Sequence, residues 1–445
     1  MTALHPYQIE QSAQLEQLVR RHRSAANLSD MGTGKTLVAC DLVRRLGDPA
    51  TLVVCPLAAI PTWERWSEDL GVELDVINYD RLRRGTTPFG RWETQQNGPR
   101  RTSRFQFAPG VKFLIYDEAH RCKGQSTKQS KTLKAAYRQQ IPTLLQTGTL
   151  AESPLDLSVT GLHLGLYGGD FWSWAQRNGC WRSPWGGLKF TANENTGRGI
   201  MLRLHEKIME RSVRIRRDEI PGFPKTQIEA CLIRLTDPLK VNRIYAQMAE
   251  ALQRLNTRAQ SDTDPDHPLT IILRARQALE LLRVPAMVEM AFDAIAQGMS
   301  VCLFFNFSAS IDETAAQFGD AVRFVRIEGG QNLAQRRNAE AAFQADAVRA
   351  ALINTEAGGV CLSLHDVRGQ FPRMSLLSPG WSGMSMQQAF ARVNRDGGLT
   401  KSLQRVIFIA NSQESEVAAA FTTKITRNEV LQNGDLVPSS LRNLV

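Results

Sequence analysis

The sequence predicts an α/β protein of two lobes, each built on a parallel β-sheet, and three observations predict it. Short β-type runs alternate with helical stretches in two separate series, one in each half of the chain. Strands that alternate with helices imply parallel pairing, because a parallel neighbour is reached only through a crossover. Between the series, Arg-Arg-Asp-Glu-Ile-Pro-Gly-Phe-Pro-Lys at 216–225 concentrates turn formers and reads as a linker. The 445 residues suit two or three domains of about 100–200 residues, which sets lobes at 1–220 and 221–445.

In the first lobe, Leu15, Leu18 and Val19 recur at helical spacing within residues 7–23, followed by a short apolar stretch and the glycine-rich turn Asp30-Met-Gly-Thr-Gly-Lys-Thr36. A helix is expected to run from this turn through Leu46. Strands follow at Thr51–Cys55, Asp75–Tyr79, Val111–Tyr116 and Thr143–Gln146. In the second lobe, residues 238–298 read as a helical insertion interrupted by the polar loop 262–268. The strands Val301–Phe305, Val322–Val325, Ala350–Ile353, Met374–Leu377 and Arg405–Ile409 then follow.

Composition excludes whole classes. Hydrophobic residues are 42% and charged residues 22% of the chain, an ordinary globular balance, and no apolar run approaches the ~18–20 residues of a membrane span. The opening Met1-Thr-Ala-Leu-His-Pro lacks the basic patch and apolar core of a secretory signal, so a cytoplasmic protein is expected, nucleoid-associated or in an infected bacterial cell. Seven scattered cysteines suggest reduced thiols, and no Cys/His spacing suits structural zinc. The net charge is +10, with 42 Arg against 12 Lys. An arginine excess suits a polyanion partner, and a GC-rich genome would produce it too. Residues 81–104 sharpen the point: Arg81, Arg83, Arg84, Arg91, Arg100, Arg101 and Arg104 face the single acid Glu93.

Two motifs carry chemistry. Gly32-Thr33-Gly34-Lys35-Thr36 between a strand and a helix is the end of a phosphate-binding loop, whose glycines let backbone N–H groups approach phosphate oxygens. Lys35 would reach the terminal phosphates of ATP and Thr36 would ligate Mg²⁺. Ser29 stands where the full pattern has Gly. Tyr116-Asp117-Glu118-Ala119-His120 closes an apolar strand with two adjacent acids, at the strand end where α/β sheets bind ligands. Asp117 would hold the Mg²⁺ shell, and Glu118 would orient and deprotonate the water that attacks the γ-phosphate.

With these two motifs the chain resembles superfamily 2 helicases, and the remaining motifs follow in order over residues 6–398. Pro6-Tyr7-Gln8 is similar to the element that reads adenine, Cys55-Pro56 to motif Ia and Thr147-Gly148-Thr149 to motif III. Phe304–Ser308 is similar to motif IV, Thr355-Glu-Ala-Gly358-Gly359 to motif V, and Gln388-Ala-Phe-Ala-Arg392-Val-Asn-Arg395 to motif VI. Cys55-Pro-Leu-Ala-Ala-Ile-Pro-Thr-Trp63-Glu-Arg-Trp66, His120-Arg-Cys-Lys123 and the arginines at 214, 216 and 217 resemble SWI/SNF-type ATPases, nearest their compact annealing-helicase and phage-encoded branches. Leu150, Ser153 and Cys361 depart from the family pattern.

The resemblance implies two RecA-like lobes with ATP and Mg²⁺ in the cleft between them. Tyr7, Gln8, Gly32, Thr33, Gly34, Lys35, Thr36 and Gln388 would bind nucleotide, and Arg392 and Arg395 would act as arginine fingers. His120, Thr147, Gly148, Thr149, Gly358 and Gly359 would couple the site to movement. Ser308, Thr355 and Trp381 would meet DNA, joined by Arg100, Arg101 and Arg104 of the basic segment. The expected activity is ATP-driven translocation on double-stranded DNA with remodelling of branched DNA or bound proteins. A DEAH-type RNA helicase and a nucleotide-dependent DNA clamp are the alternatives. The aromatics Phe171, Trp172, Trp174, Trp181 and Trp185 read as core or as a base-stacking platform, and His163 and His205 as structural.

Overall fold

The computed structural model describes residues 4–97, 100–182, 187–190, 194–235, 237–257, 268–355, 362–380, 383–410, 412 and 414. The described chain divides into two compact units, one up to Gly222 and the other from Phe223. Both are α/β with a parallel six-stranded sheet, as the alternation of elements predicts.

The first unit runs α1 (Pro6–His22), β1 (Ser24–Asn27), α2 (Lys35–Arg45), β2 (Thr51–Cys55), α3 (Ile60–Leu70), β3 (Leu74–Asn78) and α4 (Tyr79–Arg84). It continues with β4 (Thr86–Thr87), β5 (Gly90–Asn97), β6 (Arg100–Phe107), β7 (Phe113–Asp117), α5 (Lys128–Arg138), β8 (Thr143–Gln146) and α6 (Thr160–His163). Then come α7 (Phe171–Arg177), β9 (Cys180–Arg182), β10 (Leu188–Phe190), α8 (Glu194–Met209) and β11 (Ser212–Val213). The main sheet has the order β11-β1-β8-β7-β2-β3, every pairing parallel. β2, Thr-Leu-Val-Val-Cys, is buried along its whole length, as a central parallel strand covered on both faces must be. β1 reads Ser-Ala-Ala-Asn, with little β propensity of its own. Its place between β11 and β8 makes it a strand, so tertiary pairing overrides local preference.

The second unit runs β12 (Thr226–Ile233), α9 (Pro238–Thr257), α10 (Pro268–Ala296), β13 (Ser300–Phe305), α11 (Ser308–Phe318), β14 (Phe324–Ile327) and α12 (Leu333–Gln344). β15 (Ala350–Asn354), β16 (Arg373–Leu377), α13 (Gly383–Val393) and β17 (Ser402–Ile409) complete it. The sheet order is β12-β17-β16-β13-β15-β14, again all parallel. α9 and α10 fall where the helical insertion is expected, and their Val241, Met248, Leu279, Val284 and Met287 join one apolar core with Val301, Leu303 and Phe305 of β13.

Two expectations need correction. The strand expected at 322–325 sits two residues later, with Val322 buried ahead of it. The basic segment 81–104, for which a solvated surface loop is the alternative to nucleic-acid contact, is not a loop: it includes a helix end and an antiparallel three-stranded sheet in the order β4-β5-β6.

Candidate active site

In the first unit's sheet, β1, β8 and β7 are neighbours, so their C-terminal ends bring three sequence motifs together. β1 leads into the phosphate loop, β8 into Thr147–Thr149 and β7 into Asp117–Glu118. In a parallel sheet this edge is where ligands bind.

The loop is shaped by Gly32 and Gly34, with φ of 83° and 82°, left-handed values that favour glycine. Gly34 is also pressed from above: a Cβ there would lie 2.3 Å from Nε2 of Gln8. Gln8 donates to the carbonyl of Thr33 at 3.2 Å, and the Tyr7 hydroxyl donates to the same carbonyl at 2.9 Å. The pair expected to read adenine therefore also ties α1 to the loop. Ser29, the departure from the glycine pattern, is fully buried; its Oγ accepts from Nε2 of Gln11 at 2.8 Å and from the backbone N–H of Ile215 at 3.2 Å. The hydroxyl replaces conformational freedom with anchoring at the loop's start.

Lys35 donates from Nζ to the carbonyls of Ser29 and Asp30, at 3.0 Å each. Burial of the ammonium lowers its pKa to about 8, against the opposing pull of Glu118, Asp117 and Asp30. Phosphate would favour the charged form, so the bound pKa lies above the free one. ATP affinity is then expected to be full below pH 8 and to fall as the pH rises through about 8. Calorimetric titration from pH 7 to 9.5 checks this, and a flat affinity profile would contradict it. Asp30 is pushed up by burial, but Arg214 and Arg217 outweigh that and hold it below the ordinary carboxylate value. Nη2 of Arg214 lies 2.6 Å from its Oδ1, and the backbone N–H of Arg217 donates to Oδ2 at 3.1 Å.

Asp117 is gripped on every side. Its Oδ1 accepts from the N–H of Glu118 at 3.1 Å, its Oδ2 from Nε1 of the fully buried Trp63 at 3.0 Å, and its carbonyl from the Tyr79 hydroxyl at 2.7 Å. Burial, and then the neighbouring Glu118, raise the Asp117 pKa to about 6. Asp117 and Glu118 are two partly buried carboxylates side by side. With the hydroxyl of Thr36 as a further hard oxygen donor, this set fits Mg²⁺. Among the described residues there is no gathering of three or more His, Cys, Asp or Glu that would hold a metal by itself.

Trp63 escapes a search for titratable motifs, yet its hydrogen bond is one of the interactions that lower the Asp117 pKa. Trp63→Phe keeps most of the packing and removes the donor. It is expected to raise the Mg²⁺ concentration for half-maximal ATPase several-fold and to move the acid limb of the pH profile upward, since Asp117 must be ionised to hold the cation. A variant that loses only thermal stability, with both readouts unmoved, would reduce Trp63 to a packing role.

Glu118 adopts φ 54°, a strained value for a non-glycine residue. Its Oε2 lies 3.3 Å from Nδ1 of His120, which is 3.0 Å from Oγ1 of Thr147. Oγ1 of Thr147 in turn donates to the Thr149 carbonyl at 2.8 Å. A chain of polar contacts thus runs from Glu118 through His120 to Thr147 in the segment after β8. Gly148 permits the close approach, because a Cβ there would lie 2.5 Å from Cγ of Met31 in the phosphate loop. The departures at Leu150 and Ser153 are absorbed locally: Leu150 is buried, and Ser153 donates its N–H and hydroxyl to Asp156.

In the second unit, α13 carries Gln388 and Arg392 one turn apart, both buried, with Arg395 just past its end and half-buried. Arg392 donates to the Leu362 carbonyl at 3.4 Å, while Nη1 of Arg395 lies 3.0 Å from the Ser363 hydroxyl. Glu340 is the acid beside them. Burial raises its pKa, and the N–H of Ser363, Arg395 and Arg392 partly offset this. Ser308 is exposed at the start of α11, and the buried Thr355 donates to the Phe305 carbonyl at 3.0 Å. Glu280, unnoticed in the sequence, accepts from the N–H groups of Asn306 and Phe307 and from Nδ2 of Asn306 at 2.7 Å. It pins α10 to the end of β13.

Gly358, Gly359, Cys361, Trp185 and Trp381 lie outside the described residues, as do the side chains of Arg100 and Arg101. Phe171 and Trp174 are core residues, whereas Trp172 and Trp181 are 51% and 43% exposed, so the aromatic cluster divides. His163 is structural: it bridges the Ser24 hydroxyl and the Leu133 carbonyl at 3.0 Å each, and burial lowers its pKa to about 4. Among the described residues no helix is long and apolar enough to cross a membrane.

No protein-family model matches the chain. A protein of Acanthamoeba polyphaga mimivirus, whose name describes it provisionally as an ATP-dependent RNA helicase, is 28% identical over 460 aligned positions, covering 97% of this chain and 84% of its own. Among solved structures, the SWI2/SNF2 ATPase core of Sulfolobus solfataricus in complex with double-stranded DNA aligns over 98% of this chain and 94% of its own, at 16% identity and a TM-score of 0.39. The motifs read in the sequence lie within the stretch that aligns with the mimivirus protein over nearly the whole chain.

Proposed function

We infer that this chain is a superfamily 2 ATPase of the SWI/SNF type that hydrolyses ATP to move along double-stranded DNA. The observation that carries the ATPase reading is the convergence of Lys35, Asp117 and Glu118 at adjacent strand ends, with a polar chain leading from Glu118 to Thr147. Loop N–H groups and Lys35 would hold the phosphates, with Tyr7 and Gln8 of the same unit as further nucleotide contacts; the resemblance would add Gln388. Thr36 and Asp117 would hold Mg²⁺, which when bound offsets charge on the β- and γ-phosphates. Glu118 takes the proton of the water whose oxygen bonds to the γ-phosphorus, while the bond from that phosphorus to the bridging oxygen breaks and ADP leaves. By the resemblance, Arg392 and Arg395 would stabilise the charge on the transferred phosphoryl group.

Movement requires that this chemistry bias a second contact. The Glu118–His120–Thr147 chain gives the state of the nucleotide a route to the segment after β8. Ser308 and Trp381 would hold the DNA backbone, while Thr355, buried and bonded to the Phe305 carbonyl, would act only by positioning that strand end; Arg104 would add a phosphate contact that is largely independent of sequence. DNA is favoured over RNA by the SWI/SNF idioms at 55–66 and 120–123; the name of the mimivirus relative favours RNA. ATPase rate measured against duplex DNA, single-stranded DNA, branched DNA and RNA decides, with triplex displacement reporting net movement. Stronger stimulation by RNA than by duplex DNA would reverse the substrate, and stimulation without displacement would make the protein a clamp.

A further inference from the structure

We propose that Ser363 is the positioning residue that sets the direction in which Arg395 projects from the second unit; this rests on the reading of Arg395 as an arginine finger and deepens it. Nη1 of Arg395 donates to the Ser363 hydroxyl at 3.0 Å, and its Nε donates to the Ala391 carbonyl at 3.1 Å. The bond to Ala391 runs back one helical turn and fixes the side chain only to its own helix end. The bond to Ser363 crosses 32 positions of sequence to a separate segment, and there the aim of the guanidinium is set. Holding a long arginine removes much rotamer freedom, and a group placed before reaction need not be placed during it. A hydroxyl suits this task better than an acid. A carboxylate takes a guanidinium by two parallel charge-assisted bonds and draws it away from other anions, whereas a hydroxyl orients it through one neutral acceptor.

Ser363 can aim another residue because it is itself held. Its N–H donates to Oε1 of Glu340 at 2.6 Å, and its carbonyl accepts from Nε2 of Gln344 at 2.6 Å. Glu340 and Gln344 are four residues apart on α12, so both reach out from one face of that helix. The fully buried Phe343 lies between them in sequence and anchors the same turn of α12. The neighbours of Ser363 are laced to α13 instead: the N–H of Leu364 donates to the Arg392 carbonyl at 2.9 Å, and the Leu362 carbonyl accepts from Arg392. Ser363 therefore stands between two helices, with both backbone groups bound to α12 and its hydroxyl bound to the arginine that follows α13. His365, two residues on, adds no competing charge near pH 7, since burial, and then Arg395, lower its pKa to about 4.

The test is a double-mutant cycle in the full chain, read as single-turnover ATP hydrolysis with nucleotide affinity and thermal unfolding measured beside it. Ser363→Ala should slow hydrolysis by roughly 10- to 10²-fold, the scale of a misplacement of about 1 Å, with ATP affinity within about twofold of the parent. Ser363→Thr keeps the hydroxyl and should recover most of that rate. In an Arg395→Ala background, adding Ser363→Ala should slow hydrolysis no further, because a residue that acts through Arg395 has nothing left to aim. Gln344→Met removes the donor to the Ser363 carbonyl and keeps the length of the side chain. It should give a smaller loss with the same dependence on Arg395, and it carries the test if Ser363→Ala does not fold. Equal losses from Ser363→Ala with and without Arg395, equal losses from the Ala and Thr variants, or a parental rate in Ser363→Ala would overturn the positioning role, while a slow Arg395→Ala left the finger standing. Parental turnover by Arg395→Ala would overturn the finger and the proposal with it.

Discussion

Glu118→Gln is expected to bind ATP as the parent does while hydrolysing it roughly 10²–10⁴-fold more slowly, the usual contribution of a positioned general base. The substitution keeps the side chain's shape and its place next to His120, 3.3 Å away, and removes only the capacity to accept the water's proton. Lys35→Ala is expected to lose hydrolysis too, but by another route. Lys35 is held by the Ser29 and Asp30 carbonyls, and its charge is the loop's own contribution to phosphate binding, so ATP affinity falls with the rate. Single-turnover hydrolysis alongside nucleotide affinity separates the two. Equal loss of ATP binding in both variants would remove Glu118 from the role of base.

The meeting of Lys35, Asp117, Glu118 and Thr147 was legible in the sequence, because each of their three motifs is contiguous and lies at the end of a strand. A parallel sheet then assembles them without further instruction: β1, β8 and β7 are adjacent, and their loops must meet. What remained hidden is what holds the motif residues still. Trp63 meets Asp117 across 54 positions of sequence, and Arg214 meets Asp30 across 184. Glu280 and Glu340 are single acids on helices, with nothing in their neighbourhoods to distinguish them from solvated charges until packing puts them against N–H groups. The pairing of β5 with β6 was hidden for a different reason. Residues 93–104 carry no apolar side chain outside Pro99, so the period-two alternation that announces a strand is absent. The surviving signal was charge, which marked the segment without revealing its shape.

Arg392 and Arg395, the two arginines that resemble those of motif VI, look equivalent in sequence, and their surroundings predict that they are not. Arg392 is 3% exposed and reaches the Leu362 carbonyl, whereas Arg395 is half-buried beyond the end of α13 and rests on the Ser363 hydroxyl. Removing a buried guanidinium leaves its former partners without a donor and opens a cavity, a loss of stability separate from any catalytic one. Arg392→Ala is therefore expected to lower both the unfolding temperature and the hydrolysis rate. Arg395→Ala is expected to leave stability and ATP affinity nearly unchanged while cutting the rate by roughly 10³ or more, the scale of an arginine finger. Thermal unfolding, nucleotide affinity and single-turnover rate on both variants make the comparison. A rate loss confined to Arg392→Ala would move the finger to that residue. Near-normal turnover in both would mean that the phosphoryl group's charge is balanced within the first unit, by Lys35 and the loop alone.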